Sequence, residues 1–191
     1  MRTYQDIVYP EERFNLIKNT DCYTSIKNVL DIGCNKGYLT QMFAENNIFA
    51  VGIDLKNLWK DQNNGNAILG KFTITDATVN LLPNFDAICL LSVHHQIVRE
   101  KGDEYTQTLI HNLYKKTNVC MYIEFSGVSK RYGYLENSKF IDNNETSLLS
   151  YFKEWLTSAN IYNFEYIGKS AAHSTKKHIE PFRYMVMIRR K

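Results

Sequence analysis

Residues 28–40, NVLDIGCNKGYLT, constrain this chain more than any other stretch. Apolar Val29, Leu30 and Ile32 surround an acid, Asp31. Gly33 and Gly37 then precede a helix-compatible run, Tyr38–Glu45. Strand, glycine turn and helix in that order open a nucleotide-binding α/β unit, because glycines let backbone approach a ligand. The spacing is not G-x-G-x-x-G, since Asn35 stands at the middle glycine, and no G-x-x-x-x-G-K-[ST] phosphate loop occurs anywhere. The turn points away from a pyrophosphate and toward a smaller adenosine ligand.

Downstream, apolar runs alternate with helical patterns. Residues 48–55, 67–75, 85–92 and 118–125 read as buried strands. Residues 161–168 and 181–189 read as two late strands joined by a loop. Pro10 with Glu11 and Glu12 makes a helix start, since proline fits the first turn and acids favour the amino end. Phe14, Leu16 and Ile17 would give that helix an inner face. Tyr38, Leu39, Met42 and Phe43 recur at helical spacing, with the Tyr38 ring assigned to the core side. A short second helix is expected within residues 56–70, ending at the Asn63–Asn66 loop. Residues 104–116 and 145–160 are amphipathic, the latter with Leu148, Leu149, Phe152 and Leu156 inward. The alternation predicts an α/β fold, a mostly parallel sheet wrapped on both faces, with the last strand antiparallel.

Length suits one domain over residues 1–191, with 1–26 as an amino-terminal lid or helix segment. Hydrophobic residues at 44% and aromatics at 13% fit a globular chain. No apolar run approaches the roughly 18 residues of a membrane span, and MRTYQDIVYPEERF lacks a signal-peptide apolar region. The expectation is a cytoplasmic protein. Cys22, Cys34, Cys89 and Cys120 have no C-x-x-C spacing and read as small hydrophobes, Cys34 by packing in the glycine turn. A formal charge of +3 is too mild to argue for nucleic acid by itself. Residues 169–191 nevertheless hold seven Lys or Arg against the single Glu180.

D-I-G-C-N-K-G followed by G-I-D at residues 52–54 resembles motifs I and II of the class I S-adenosylmethionine-dependent methyltransferases. The resemblance implies a Rossmann-like seven-stranded sheet of order 3-2-1-4-5-7-6, with S-adenosyl-L-methionine across the strands' carboxyl ends. It implies that Asp54 accepts hydrogen bonds from the ribose hydroxyls, a task a two-oxygen carboxylate suits. Asp76 and Ala77 fall where the family meets the adenine amino group. Gly33, Asn35 and Gly37 fall along the methionine portion, and Leu91 and Ser92 continue the wall. Asp31, Cys34 and Leu55 belong to the same expected cofactor set. Arg13, with Tyr4 and Tyr9, joins it as part of a lid, because related enzymes use such upstream residues.

Methyl transfer needs an in-line nucleophile about 3–3.5 Å from the methyl carbon, and a dry site. A hydroxyl needs a base as well, whereas a phosphate monoester is already ionised. Ser92-Val93-His94-His95 follows strand four, where the family faces its methyl group. His94 or His95 is expected to serve as base or phosphate donor, since imidazole titrates near neutrality. Glu124, at the end of strand five, completes the expected catalytic set. No third ligand at convincing spacing joins the histidines and Glu124, so no metal is expected.

LDIGCNKGYLT, CLLSVHHQIVREKGDEY, YIEF and PFRYMVMIRRK are similar to bicoid-interacting-protein-type RNA 5′-phosphate methyltransferases and to the methyltransferase module of O-antigen chain-terminating enzymes. Both groups methylate phosphate, although their tryptophan-bearing segments after strands four and five are not matched here. Lys130, Arg131 and Tyr132, with Lys176, Lys177 and Arg183, are the expected acceptor grips. The leading expectation is an O-methyltransferase acting on a phosphate or hydroxyl of a saccharide or other small polar acceptor. The alternatives are an RNA 5′-phosphate methyltransferase and a catalytically silent scaffold of the same fold.

Overall fold

A computed structural model of the chain describes residues 10–59, 65–126, 145–171 and 182–190. Pro10 opens α1 (Pro10–Lys18), with Glu11 and Glu12 in its first turn and Arg13, Phe14 and Ile17 buried. A 3-10 helix (Asp21–Ser25) leads to β1 (Asn28–Ile32), then α2 (Tyr38–Glu45) and β2 (Phe49–Asp54). The chain continues through β3 (Ala67–Lys71), α3 (Asp76–Val79), β4 (Phe85–Leu90), α4 (His94–Lys101) and α5 (Asp103–Lys115). It closes with β5 (Thr117–Ser126), α6 (Glu145–Ser158), β6 (Phe164–Ala171) and β7 (Phe182–Arg189).

The seven strands form one sheet of order β3-β2-β1-β4-β5-β7-β6, as the motifs implied. β1 to β5 pair in parallel, while β7 runs antiparallel to both β5 and β6. Alternation along each strand divides the core in two. One cluster packs Phe14, Ile17, Leu39 and Phe43 of α1 and α2 on Ala87, Cys89, Cys120 and Tyr122. The other packs Leu109, Leu113, Phe152 and Leu156 of α5 and α6 on Ile88, Met121, Ile123 and Val186. The fold is a three-layer α/β sandwich.

Several expectations need correction. Tyr38 does not face the core. It is 40% exposed, because it is the first residue of α2 and Leu39 and Phe43 take the inner stripe. No helix forms in the described part of residues 56–70, and Leu58 lies exposed there. The helix expected over 104–116 forms as α5, and a further helix, α4, precedes it, the two separated by Gly102 at φ 84°. β6 starts three residues later than its apolar pattern, since Ile161 is buried in the turn leaving α6. No helix among the described residues is long and apolar enough to cross a membrane.

Candidate active site

The glycine turn is folded by backbone. Gly33 and Cys34 both donate to the Ile53 carbonyl, at 2.8 and 3.1 Å, and Gly37 donates to the Cys34 carbonyl at 2.8 Å. Gly33 and Gly37 have φ of 77° and 79°, where side chains are strained. A Cβ on Gly33 would also collide with Val93 Cγ2, so the bare glycine backbone lets the Val93 side chain past β4 pack directly on the turn. Gly52 plays the same part under α2, where a Cβ would meet Thr40 Oγ1 at 2.5 Å.

Asp54 joins the turn to the exit of β2. Its Oδ2 accepts from the Asn35 amide at 2.9 Å and its Oδ1 from the Lys56 amide at 3.0 Å. Each oxygen keeps a second lone pair. Asp76 starts α3, whose capping box is built by Thr75 and Thr78 and so leaves the aspartate free of that task. Asp76 Oδ1 and Asn35 Oδ1 are buried without a hydrogen-bond partner among the described residues. Such orphaned acceptors are costly unless a ligand meets them. Asn35 follows β1, Asp54 ends β2 and Asp76 follows β3, and the three strands are neighbours in the sheet. The three acceptors thus run outward from its middle.

Asp31 is 3% exposed and accepts from Thr40 Oγ1 at 2.7 Å. Burial lifts its carboxyl to about 6, against the pull of the Thr40 hydrogen bond and the Arg13 charge. Burial also pushes the Cys34 thiol well up, which agrees with a packing role.

Across the switch in strand order, Glu124 stands fully buried at the end of β5. Arg13 approaches it from α1, giving Nε to Oε1 at 2.8 Å and Nη2 to Oε2. Ser92 Oγ donates to Oε2 at 2.6 Å and accepts from Arg13 Nη2 at 2.5 Å. Ser170 Oγ of β6 donates to Oε1 at 3.0 Å. Four donors fill the carboxylate's acceptor positions. Leu91 is buried beside them, and Ser92 is held at φ 57°. Arg13 and Ser92, expected at the cofactor, and Glu124, expected in catalysis, are therefore joined in one network. Ser170 was not anticipated; its only signal is a small polar residue near the end of a strand.

His94 and His95 open α4 and are 2% and 0% exposed. The His94 ring lies 4.5 Å from the Phe125 ring and 4.5 Å from the Trp155 ring, centroid to centroid, and its Nε2 has no hydrogen-bond partner among the described residues. Burial lowers its pKa to about 3. His95 falls to about 2, through burial first and then the charge of Arg183. Arg183 is itself buried at the start of β7, opposite Ser126 of β5 and Ser170 of β6. Lys130, Arg131, Tyr132, Lys176 and Lys177, like Tyr4 and Tyr9, lie outside the described residues. Ala77 follows Asp76 in α3, and Leu55 leaves β2 at 58% exposure.

No protein-family model matches the chain, and no curated protein matches it. Solved structures do. The bifunctional kinase-methyltransferase WbdD superposes over 94% of this chain with a TM-score of 0.70 and 21% identity. This chain spans only 39% of that one. The amino-terminal domain of EvdMO1, with SAH and D-fucose, gives 0.62 at 14% identity, covering 95% of this chain and 83% of its own. Magnesium protoporphyrin IX methyltransferase (ChlM) from Synechocystis PCC 6803, with bound SAH, gives 0.54 at 13% identity, covering 85% of this chain and 74% of its own. At such identities the likeness is one of architecture, and by that measure the chain has the fold of the class I S-adenosylmethionine-dependent methyltransferases.

Proposed function

We propose that the chain is an S-adenosylmethionine-dependent O-methyltransferase whose acceptor is a phosphate or hydroxyl of a saccharide or another small polar molecule. The observation that carries the cofactor reading is the row of acceptors Asn35 Oδ1, Asp54 and Asp76 Oδ1 along three adjacent strand ends. An amine, a ribose diol and an adenine amino group spread along one elongated ligand match that row. The SAH bound by EvdMO1 and ChlM, the product left when S-adenosylmethionine gives up its methyl, supports the same reading. When bound, S-adenosylmethionine supplies an electrophilic methyl group. Gly33 and Gly37 admit it against backbone, Asp54 holds the ribose, and Asp76 holds the adenine edge. The Arg13–Glu124–Ser92 network closes the inner wall and fixes α1 over it.

The acceptor reading rests on the histidines. Imidazoles held near 3 and 2 are neutral at pH 7 and poor proton acceptors, since a general base works best with a pKa near the operating pH. A phosphate monoester, already ionised, needs no such base. That chemistry supports phosphate over hydroxyl, and the buried Arg183, whose charge reaches His95, adds positive potential.

Calorimetry tests the cofactor. Asp54→Ala should weaken S-adenosylmethionine by about 10–100-fold, the loss of a hydrogen bond to a charged group of about 1.5–3 kcal/mol. Unchanged affinity would remove the ribose from Asp54. Single-turnover rates test the acceptor. His94→Ala and His95→Ala should mainly weaken acceptor binding. A drop of about 10²–10⁴-fold in the chemical step at saturating acceptor would make one of them a base and the acceptor a hydroxyl.

A further inference from the structure

Outside the proposed site, a second cluster of reactive chemistry lies at the opposite ends of β5 and β7. Cys120 faces α1 from β5, 0% exposed, and Arg189 of β7 stands directly opposite it in the antiparallel pair. Facing side chains in such pairs have Cβ atoms about 4.5–5.5 Å apart. The 3-10 helix lowers Cys22 onto this pair. Arg189 Nη1 donates to Cys22 Sγ at 3.1 Å and to Asp21 Oδ1 at 2.6 Å. Glu165 Oε1 takes the other guanidinium nitrogen at 2.9 Å. Arg189 thus stands opposite Cys120 while bonding Cys22, and Cys22 packs on the apolar cluster that contains Cys120. Cys22 is half-buried, so a small oxidant reaches it, whereas Cys120 is sealed behind it.

We propose that Cys22 and Cys120 form a peroxide-oxidisable dithiol, with Cys22 as the attacked thiol and Cys120 as the resolving one. The Cys22 thiolate, stabilised by the Arg189 guanidinium, attacks the O–O bond of hydrogen peroxide. It keeps one oxygen as a sulfenic acid and releases the other as hydroxide, which takes up the proton that left the thiol. Cys120 sulfur then attacks the Cys22 sulfur, and its proton leaves with the sulfenic oxygen as water. The two thiols lose two electrons in all, and the peroxide becomes two waters. Burial raises both thiols, Cys120 to about 12, and the Arg189 charge pulls each the other way. The product disulfide would tie the segment carrying α1 to the centre of the sheet. This dithiol stands independently of the methyl-transfer reading.

The test is peroxide treatment of the whole chain, alkylation of remaining thiols, and intact-mass and non-reducing peptide analysis. The protein should lose the mass of two hydrogens and yield one peptide pair linking Cys22 to Cys120, both reversed by dithiothreitol. Cys89→Ala should behave the same, and Cys22→Ser should lose nothing. The peptide map of the unaltered protein identifies the pair even if a variant fails to fold. No mass loss, a linkage through Cys89, a linkage surviving in Cys22→Ser, or oxygen addition without linkage would each overturn the proposal.

Discussion

Asp31 shows what one buried carboxylate does to the energetics of a strand. Its pKa of about 6 lies above the 3.8 of a free side chain, because burial outweighs the Thr40 hydrogen bond. The group therefore contributes its full stability below pH 3.8 and loses it as pH rises through 6. Asp31→Asn should be more stable than the native chain at pH 7.5, by at most about 3 kcal/mol, and level with it near pH 3.8. Urea midpoints at the two pH values measure this, and a gap that ignores pH would contradict it. Gly52→Ala acts by size, since its Cβ would press on Thr40 Oγ1 and Leu69 Cδ2; overpacking of this kind costs about 1–3 kcal/mol. Urea unfolding reads it directly. The acids Asp31, Asp54 and Asp76 were legible in the sequence because each breaks or ends an apolar run. The Arg13–Glu124 bond was not, because its partners lie 111 residues apart and nothing local marks a pairing across that distance. Tyr38 misled for the opposite reason, since a helical period marks a stripe but not where the first residue of the helix points.

At the scale of elements, α1 is the piece whose stability depends most on others. Nine residues are too few for a helix to persist alone, so docking holds it. Phe14 and Ile17 supply the apolar part and Arg13 the polar part, while Leu16 covers Gly168, where a Cβ would lie 2.6 Å away. Glu124→Ala leaves a buried guanidinium unpaired and should cost about 3–5 kcal/mol in urea unfolding. Arg13→Met combined with Glu124→Leu should recover most of that, since an apolar pair can replace a buried ion pair. If Arg13 also grips the cofactor, S-adenosylmethionine affinity measured by calorimetry stays low in that double variant. Recovery of affinity along with stability would make Arg13 purely structural. Removing residues 1–14 is not a neutral probe of a lid, because it takes Arg13 and Phe14 out of the interior. Element types were legible from period and from Pro10, Gly33 and Gly37. Boundaries slipped where burial and secondary structure part company, as at Ile161, which is buried but not in β6.

At the scale of the whole molecule, two buried rings make it sensitive to mild acid. His94 and His95 are held near 3 and 2, below the 6.5 of a free imidazole. Their contribution is present above pH 6.5 and is lost as pH falls toward those values. Each proton withheld by the fold costs about 1.4 kcal/mol per pH unit. Between pH 6 and 4 two histidines oppose one Asp31, so stability should fall by about 1.4 kcal/mol per unit of acidification. Urea midpoints from pH 6 to 4.5 should follow that slope, and His94→Gln should flatten it. A midpoint indifferent to pH over that range would mean the rings reach water. The insertion of β7 between β5 and β6 has a consequence for how such a chain is made. A ribosome delivers β5 early, and β4 can pair with it at once. The other edge of β5 then waits, and β6 emerges with nowhere to pair, because its neighbour is β7. Until Phe182–Arg189 has left the exit tunnel, the centre of the finished sheet is an open border, where a nascent chain is most exposed to chaperones and to strand exchange with another copy.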